Sequence, residues 1–310
     1  MRTHAATVIG RHQLSPHLIT VTLGDLGDLG DFPTTGVPDE YVRLLIPPSS
    51  AAPGPASPSG PGAELVLPEI DEETWTITYP DGATELTHRV YTISDHRVVD
   101  GEVRVDIDVA LHERGIGSDW ARDCTIGSRV GLLEPRGLYA APDDVEWQLL
   151  VADITGVPAL ARILRRLQPG QRAEAVVVLT DADDEIPLPS AGDVTVQWQI
   201  VERETDICEA LSAAVVDRQL PTEGSRYVWL AGEARASRAV RRHLRRELGW
   251  SQSDFYTCGY WQVDAEIWNA RYEEVADQVI AEAEQAQARV GDDEGAYLDA
   301  LEDIYDNAGL

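Results

Sequence analysis

Four consecutive residues place a cation, a ring and a hydroxyl side by side at the end of a predicted β-strand: Arg89, Val90, Tyr91 and Thr92. An arginine can pair with the oxygens of a diphosphate. A tyrosine ring can lie flat against a planar ring, and a threonine hydroxyl can hydrogen-bond a ring nitrogen. An arginine without a partner is costly on an apolar strand. The stretch therefore predicts contact with a nucleotide that carries a diphosphate and a flat ring.

A glycine-rich run follows further along the chain, over residues 111–121 (LHERGIGSDWA), and opens a short predicted helix. Its turn can offer backbone N–H groups to a phosphate at the helix start. We include Trp120 among the candidate cofactor residues, although a tryptophan on such a helix is more often part of the core. In this order and at this spacing the two motifs predict a barrel that holds FAD. The candidate turn residues are Gly115, Ile116, Gly117 and Ser118.

The first motif resembles the R-x-Y-[ST] flavin motif of the ferredoxin-reductase superfamily. The chain resembles more narrowly the siderophore-interacting proteins, which are FAD-dependent ferric-siderophore reductases. Ile154 and Gly156 replace the glutamate and alanine that the family's turn usually has. Ser94 stands where the family often has a basic residue, so that contact is either lost or supplied by another arginine such as Arg97. The resemblance rests on residues 89–94 (RVYTIS), 106–121 (DIDVALHERGIGSDWA), 151–164 (VADITGVPALARIL), 227–234 (YVWLAGEA) and 259–261 (GYW).

The resemblance also implies roles for individual side chains. Tyr91 would flank the isoalloxazine and Thr92 would lie near its N5, which makes these two the candidate catalytic residues. Asp108 and His112 would shape the flavin pocket. His112 could alternatively be a general base, but nothing near it in sequence resembles a nucleophile, so we expect it to position rather than to transfer a proton.

Composition excludes several classes of partner. The formal net charge of −29 argues against nucleic acid, because phosphate contacts need a basic face. It also argues against an anionic membrane surface. We find neither a signal peptide nor an apolar run of the roughly 20 residues that a spanning helix needs. The 3 cysteines are widely spaced and form no C-x-x-C pair that could hold a metal. We therefore predict a cytoplasmic protein with reduced cysteines, to which iron comes with its own ligand.

The period of the sequence predicts a Greek-key β-barrel followed by an α/β domain, and the resemblance implies the ferredoxin-reductase-like arrangement of the two. Short β-rich runs separated by turn residues extend over residues 1–147, interrupted by a Pro/Ser/Gly-rich flexible loop at 47–63. Strands then alternate with helices over residues 148–262, which predicts a mostly parallel sheet that binds ligands at the strand C-termini. The acidic tail, residues 263–310, predicts two amphipathic helices that cover either the sheet or the cofactor cleft.

The α/β domain carries candidate nucleotide contacts at three strand ends. Asp153 and Thr155 belong to the first turn, where we expect Thr155 to cap the following helix. Gly232, Glu233 and Ala234 join a strand to a helix, and Glu233 could accept hydrogen bonds from ribose hydroxyls. Tyr260 and Trp261 follow the last strand, as an edge-packing pair or as aromatics beside the flavin ring.

One predicted helix carries arginines at positions 235, 238, 241, 242, 245 and 246. They form either a solvated face or a basic patch for an anionic ferric complex, and a local patch would focus such a ligand against the general repulsion. Arg235 and Arg238 are the candidate substrate contacts because they are nearest the strand end.

We therefore predict an FAD-dependent reductase that passes electrons from NADH or NADPH through the flavin to siderophore-bound Fe(III). The first alternative is a flavin reductase of the same substrate fed by a ferredoxin. The second is a non-catalytic ferric-siderophore carrier.

Overall fold

The computed structural model describes residues 2–24, 32–48, 65–71, 74, 76–112 and 115–310. The predicted loop at 47–63 lies outside them from residue 49 onward, as do residues 113 and 114 of the glycine-rich run. Within the described residues, no helix combines the length and apolarity needed to span a membrane.

The first part of the chain forms a closed antiparallel barrel with the strand order β1-β2-β7-β6-β3-β8. Alternation explains its core, since Val103, Val105, Ile107 and Val109 all point inward from one strand. A short helix, α1 (Ile116–Asp123), follows β7 and packs Trp120 and Ala121 into the same core. The barrel strands are β1 (Thr3–Ser15), β2 (Leu18–Gly24), β3 (Tyr41–Ile46), β6 (Thr87–Val99), β7 (Glu102–Ala110) and β8 (Arg129–Leu133), and a small separate pair is β4 (Glu69–Ile70) with β5 (Ile77–Thr78).

β1 is the strand that sequence periodicity misses. It is 13 residues long, but its second half is mostly exposed and its pairing with β2 is irregular at Val8/Gly10 and at Gln13/Ser15. Only the first half of β1 alternates between buried and half-buried residues. The strand as a whole therefore lacks the regular apolar pattern by which a strand is recognised.

The second part forms a five-stranded parallel sheet with the order β11-β10-β9-β12-β13. Helix α2 packs on one face of the sheet and helices α3 and α4 pack on the other, which buries β9 and β12 on both sides. The predicted fold class is confirmed, and the predicted helix that begins at Ala234 ends in a π-helical turn, His243–Glu247. The elements are β9 (Trp147–Asp153), α2 (Val157–Arg166), β10 (Arg172–Leu179), β11 (Asp193–Ile200), α3 (Ile207–Val216), β12 (Arg226–Glu233), α4 (Ala234–Arg242) and β13 (Phe255–Trp261).

The tail forms two helices, α5 (Ala265–Val290) and α6 (Glu294–Ala308), that pack against each other through a small apolar cluster of their own. Asp293 caps α6 by accepting a hydrogen bond from the Ala296 N–H at 2.9 Å. The two predicted tail helices are thus confirmed, and α6 is joined to α4 of the α/β domain by ion pairs.

Candidate functional site

The glycine-rich turn presents the start of α1 without a cap. Gly115 has a φ of +145°, which side chains rarely allow. No side chain caps α1 within the described residues, so its first N–H groups remain available to an anion. Ser118 fixes the turn, since its Oγ accepts from the His112 N–H at 3.0 Å and donates to the Ala110 carbonyl at 3.3 Å.

Tyr91 lies directly over this turn. A Cβ atom on Gly117 would be 1.7 Å from the Tyr91 hydroxyl oxygen, so the tyrosine can occupy this place only because residue 117 is glycine. The ring is partly buried against the barrel core. Burial raises the pKa of Tyr91 to about 12, and the nearby charge of Arg89 offsets part of that rise. Tyr91 is therefore a neutral, positioned ring rather than an acid or a base.

Around the contact between Tyr91 and Gly117, two apolar side chains and one arginine are exposed to solvent. Val90 is 56% exposed and Ile116 is 46% exposed, and each is next in sequence to one member of the Tyr91–Gly117 contact. Arg89 is also exposed, and its guanidinium is bound only to the neighbouring His88 carbonyl at 2.7 Å among the described residues. An exposed apolar surface, an exposed arginine and an uncapped helix start fit the ring and diphosphate of FAD.

Thr92 connects the barrel motif to the α/β domain. It is buried, and its side chain lies against the hydroxyl of Tyr260 near the end of β13. Burial raises the pKa of Tyr260, so this hydroxyl is neutral. The structure thus brings Tyr260 to the predicted flavin motif, although the two residues are far apart in sequence.

Ser94 has an arginine neighbour, but not the one expected. Arg97 pairs with Asp95 at 2.8 Å and with Asp106 at 2.5 Å. Arg165 of α2 donates to the Ser94 carbonyl at 2.6 Å, so an arginine from the other domain lies beside Ser94. An arginine that takes over the flavin or substrate contact stays a prediction.

Asp108 lies in the same region as a half-buried carboxyl. Burial raises its pKa, while hydrogen bonds from Thr20 and Ser94 and the charge of Arg165 lower it. The Thr20 hydroxyl donates to Asp108 Oδ1 at 2.6 Å. Asp108 is therefore held in place by the barrel, which is consistent with the predicted role in shaping the pocket.

The first turn of the α/β domain is built differently from the prediction. Asp153 is fully buried, and it accepts from the Thr155 hydroxyl at 2.6 Å and from the Trp261 indole N–H at 2.7 Å. The helix cap is Gly156, so the expectation that Thr155 caps α2 is wrong, because its hydroxyl is already bound to Asp153. A Cβ on Gly156 would lie 2.4 Å from the Ala231 carbonyl oxygen. Asp153 and Thr155 thus shape the turn, and Asp153 has no surface left for a ligand.

Glu233 also has a structural task. It is fully buried, and its carboxylate accepts from the Ala236 N–H at 3.0 Å and the Val263 N–H at 3.3 Å, which caps α4. The prediction that it accepts from ribose is corrected, since both oxygens already serve backbone groups. Gly232 is buried against Asp153, and Ala234 packs so closely on Gly259 that a Cβ there would be 2.7 Å away. Trp120, similarly, belongs to the barrel core and not to a cofactor surface.

Most of the arginine-rich face is neutralised by the acidic tail. Arg241 is 2.5 Å from Asp299 Oδ1 and donates to the Gly295 carbonyl at 2.8 Å. The prediction of a basic patch is therefore wrong for these positions, which hold α6 against α4. The remaining pairs are Arg242 with Asp306 at 2.6 Å, Arg245 with Asp299 at 3.4 Å and Arg246 with Asp303 at 2.8 Å.

The two candidate substrate contacts on this face differ from the others. Arg235 is half-exposed and 3.5 Å from Glu233. Arg238 is half-buried and, within the part of the chain that the structure describes, makes no hydrogen bond or ion pair. Both stay predictions as substrate contacts.

A cavity of about 510 Å³ lies between the barrel and the carboxyl edge of the sheet. Its barrel side is formed by His17 and His112, and its sheet side carries Glu202 and Glu204. His112 Nδ1 is 3.6 Å from Glu204 Oε1, and the His112 ring centroid is 6.1 Å from that of Trp261. Sequence reasoning missed the two glutamates, although acids directly after a parallel strand are a usable signal.

Comparisons with known proteins agree with this geometry. The model for the siderophore-interacting FAD-binding domain matches residues 7–139, and the model for the siderophore-interacting protein matches residues 145–264. The NADPH-dependent ferric-chelate reductase of Escherichia coli is 25% identical over 252 residues, which is 80% of this chain and 88% of that protein. The ferric vibriobactin reductase ViuB of Vibrio cholerae is 24% identical over 202 residues, 64% of this chain and 71% of that protein.

A solved siderophore utilization protein from T. fusca superimposes with a TM-score of 0.69 at 25% identity, covering 85% of this chain and 94% of its own. The two family models together span both the barrel and the parallel sheet, and they end before most of the tail. The chain therefore belongs to the siderophore-interacting proteins.

Proposed function

We propose that the protein is an FAD-dependent reductase of ferric siderophores that takes its electrons from NADH or NADPH. The observation that carries this proposal is the contact between Tyr91 and Gly117 at the uncapped start of α1. Thr92, on the same strand as Tyr91, contacts the hydroxyl of Tyr260. This second contact brings the candidate flavin surface to the carboxyl edge of a parallel sheet, where a nucleotide donor binds. The E. coli and V. cholerae relatives carry the names of ferric reductases.

The chain would hold its cofactor with residues that are already positioned. Arg89 and the first N–H groups of α1 would bind the diphosphate, and the Tyr91 ring would support the flat ring system. FAD, when bound, supplies the exchange between a hydride donor, which gives two electrons, and a metal, which takes one. Thr92 and Tyr260, both neutral hydroxyls at this position, would orient the ring edge and restrict water there.

Iron is part of the substrate in this proposal. Fe(III) is a hard ion held by the hard oxygen atoms of the siderophore, whereas Fe(II) is softer and is held far less well. Reduction alone therefore frees the metal, and the protein's task is to bring the complex close to the flavin edge. The free cysteines Cys124, Cys208 and Cys258 fit the reducing cytoplasm that we expect from the sequence.

Anaerobic stopped-flow spectroscopy tests the substrate. Reduced FAD-loaded protein is mixed with a ferric hydroxamate or a ferric catecholate, and the flavin absorbance is followed. We expect reoxidation faster than that of free reduced flavin with the same complex. Equal rates would defeat the proposal. Arg238→Met, with Arg289→Met as an exposed control, then tests whether Arg238 on α4 contacts the complex.

The two alternatives are separated by simpler measurements. A carrier without a flavin would be colourless and would not take up FAD. A visible absorption spectrum with flavin bands would therefore rule out the carrier. A ferredoxin donor would reduce the bound flavin where NADH and NADPH do not. The cavity at the carboxyl edge favours a nucleotide donor, because a protein donor docks on a surface and needs no cavity.

A further inference from the structure

The cavity between the domains extends from His112 of the glycine-rich run and Trp261 at the end of β13 to the ends of β10 and β11. It is bordered by Leu179 and Thr180 at the end of β10 and by Glu202 and Glu204 just after β11. In parallel α/β sheets ligands bind outside the carboxyl ends of the strands. Its volume of about 510 Å³ is that of a small-molecule site.

The order of the strands determines which half of a nicotinamide dinucleotide lies here. Tyr260 near the end of β13 is beside Thr92, so the nicotinamide must meet the flavin at the β12–β13 side of the sheet. The sheet continues from there through β9 to β10 and β11. Three strand spacings, about 14 Å, separate β12 from β11. The adenosine half of the dinucleotide therefore lies over the ends of β10 and β11, in the part of the cavity that Glu202 and Glu204 border.

The sheet side of this cavity is acidic. Glu202 is exposed, and among the described residues its carboxylate makes no hydrogen bond or ion pair. Glu204 has only the distant His112 contact at 3.6 Å. Asp184 is buried and bound to His17 Nδ1 at 2.7 Å. Asp181 follows Thr180 directly and caps the Asp183 N–H at 2.9 Å. Among the described residues that line the cavity, Glu202 is therefore the carboxylate with no hydrogen bond or ion pair of its own, and it can accept hydrogen bonds from a ligand.

The arginine in this segment is already engaged. Arg203 lies between the two glutamates in sequence, but its Nε is 3.0 Å from Asp206 Oδ2 and its Nη2 is 2.7 Å from Asp206 Oδ1. The pair occupies the Nε–Nη2 edge of the guanidinium, and the Asp206 carboxylate balances its charge. A phosphate entering the cavity would therefore meet an arginine that is already paired with an acid.

We infer that the adenosine end of this site selects NADH over NADPH, with Glu202 as the specificity-determining residue. The inference rests on the proposed function and names its electron donor. A carboxylate accepts hydrogen bonds from the hydroxyls of an unmodified ribose. The 2′-phosphate of NADPH carries a charge of about −1.5 to −2 and would be placed against like charges.

Two measurements on the FAD-loaded protein test the preference. Calorimetric titration of the oxidised protein compares NAD⁺ with NADP⁺ without any turnover, and anaerobic stopped-flow compares the flavin bleaching by NADH and by NADPH. We expect the unphosphorylated nucleotide to be favoured roughly 30-fold or more in both. Equal affinities and rates, or a preference for the phosphorylated form, would overturn the inference.

A charge reversal assigns the preference to Glu202. Glu202→Arg should move the NADH/NADPH ratio toward NADPH by about tenfold or more. Glu223→Arg is the matched control, because Glu223 is exposed on the loop before β12. That loop lies at the amino ends of the strands, away from the cavity at their carboxyl ends. Glu223→Arg makes the same change in net charge and should leave the ratio as it is. An unchanged ratio in Glu202→Arg would remove Glu202 from the role.

The donor and the acceptor are measured separately, so their failures differ. If NADH bleaches the flavin but ferric siderophores do not reoxidise it, the substrate claim fails while the preference stands. If dithionite-reduced protein reduces the ferric complex but neither nucleotide binds, the nucleotide inference fails and the flavin-dependent iron reduction stands.

Discussion

The Tyr91 hydroxyl oxygen lies so close to the backbone of Gly117 that a methyl group on that residue would be 1.7 Å away from it. The contact joins β6, which carries the predicted flavin motif, to the first turn of α1. It fixes the ring at the uncapped helix start, where a diphosphate would bind. The glycine-rich run thus contributes room for a side chain in addition to free N–H groups.

Gly117→Ala should weaken FAD binding by about tenfold or more, because Tyr91 must leave its seat to admit the methyl group. Fluorescence titration of the apoprotein with FAD gives the dissociation constant. Gly10→Ala in β1 is the control, since its nearest neighbour would be 3.5 Å from the new Cβ, an ordinary contact. Equal FAD affinities for the two variants would show that the contact between Tyr91 and Gly117 does not contribute to FAD binding.

Trp261→Phe should lower the free energy of unfolding by about 1–3 kcal/mol. The indole N–H donates to Asp153 Oδ2 at 2.7 Å, and Asp153 is fully buried with its pKa raised by that burial. Loss of this donor raises the pKa further and removes one of the hydrogen bonds that stabilise the buried carboxylate. Urea denaturation measures the change. Trp198→Phe, whose indole nitrogen has no hydrogen-bond partner among the described residues, should cost clearly less.

Stability should fall in acid through Glu40. Burial raises the pKa of Glu40, but hydrogen bonds from Arg162, Thr35 and Thr34 outweigh it, so the pKa is lowered from its ordinary 4.5. A lowered pKa contributes stability that is fully present above 4.5 and is lost as the pH falls through the folded-state value. The unfolding free energy of Glu40→Gln should therefore change less with pH in this window than that of the wild type.

The same substitution should cost about 3 to 5 kcal/mol near neutral pH, because it leaves the buried Arg162 without its counter-charge. The Glu40–Arg162 distance is 2.8 Å, and both side chains are buried. Glu223→Gln removes one acid from the exposed surface and controls for the general relief of self-repulsion in so acidic a chain. Parallel pH curves for the wild type and Glu40→Gln would contradict the assignment.

Arg241→Met should release the tail from α4. The arginine is 7% exposed and binds Asp299 at 2.5 Å and the Gly295 carbonyl at 2.8 Å, so its loss leaves buried acceptors unpaired. Burial already raises the pKa of Glu302, and Arg241 is the largest influence that lowers it. Hydrogen exchange should accelerate in α6 and stay unchanged in the barrel. Arg289→Met, an exposed arginine on α5, should leave α6 protected.

Local sequence patterns, such as alternation and helical periodicity, predict much of the fold and part of the candidate site. The alternation of residues 103–109 and the change of period near residue 148 predict the barrel and the sheet. Tyr91 and Gly117 each belong to one of the two short motifs of the barrel, so both are found from local sequence patterns. A helix that begins at Ala234 and two tail helices were likewise readable from their periodicity.

The rest depends on contacts between distant parts of the chain. Glu40 and Arg162 are 122 residues apart and belong to no motif. Arg165 binds the Ser94 carbonyl because α2 packs against β6, which no local signal shows. The arginines of α4 look like a ligand patch until the acids of α6 are seen to face them. Thr155 looks like a cap because its competing partner, Asp153, is two residues away in a turn whose geometry the sequence does not specify.

The contacts from α2 to the motif strand bear on how this enzyme can be rebuilt. Arg162 donates to the Ile93 carbonyl at 2.5 Å and Arg165 to the Ser94 carbonyl at 2.6 Å, immediately after Thr92. A chimaera that grafts the α/β half of a relative onto this barrel would exchange those two anchors along with the graft. Such a transplant keeps the flavin strand in register only if the donor helix brings matching guanidinium groups.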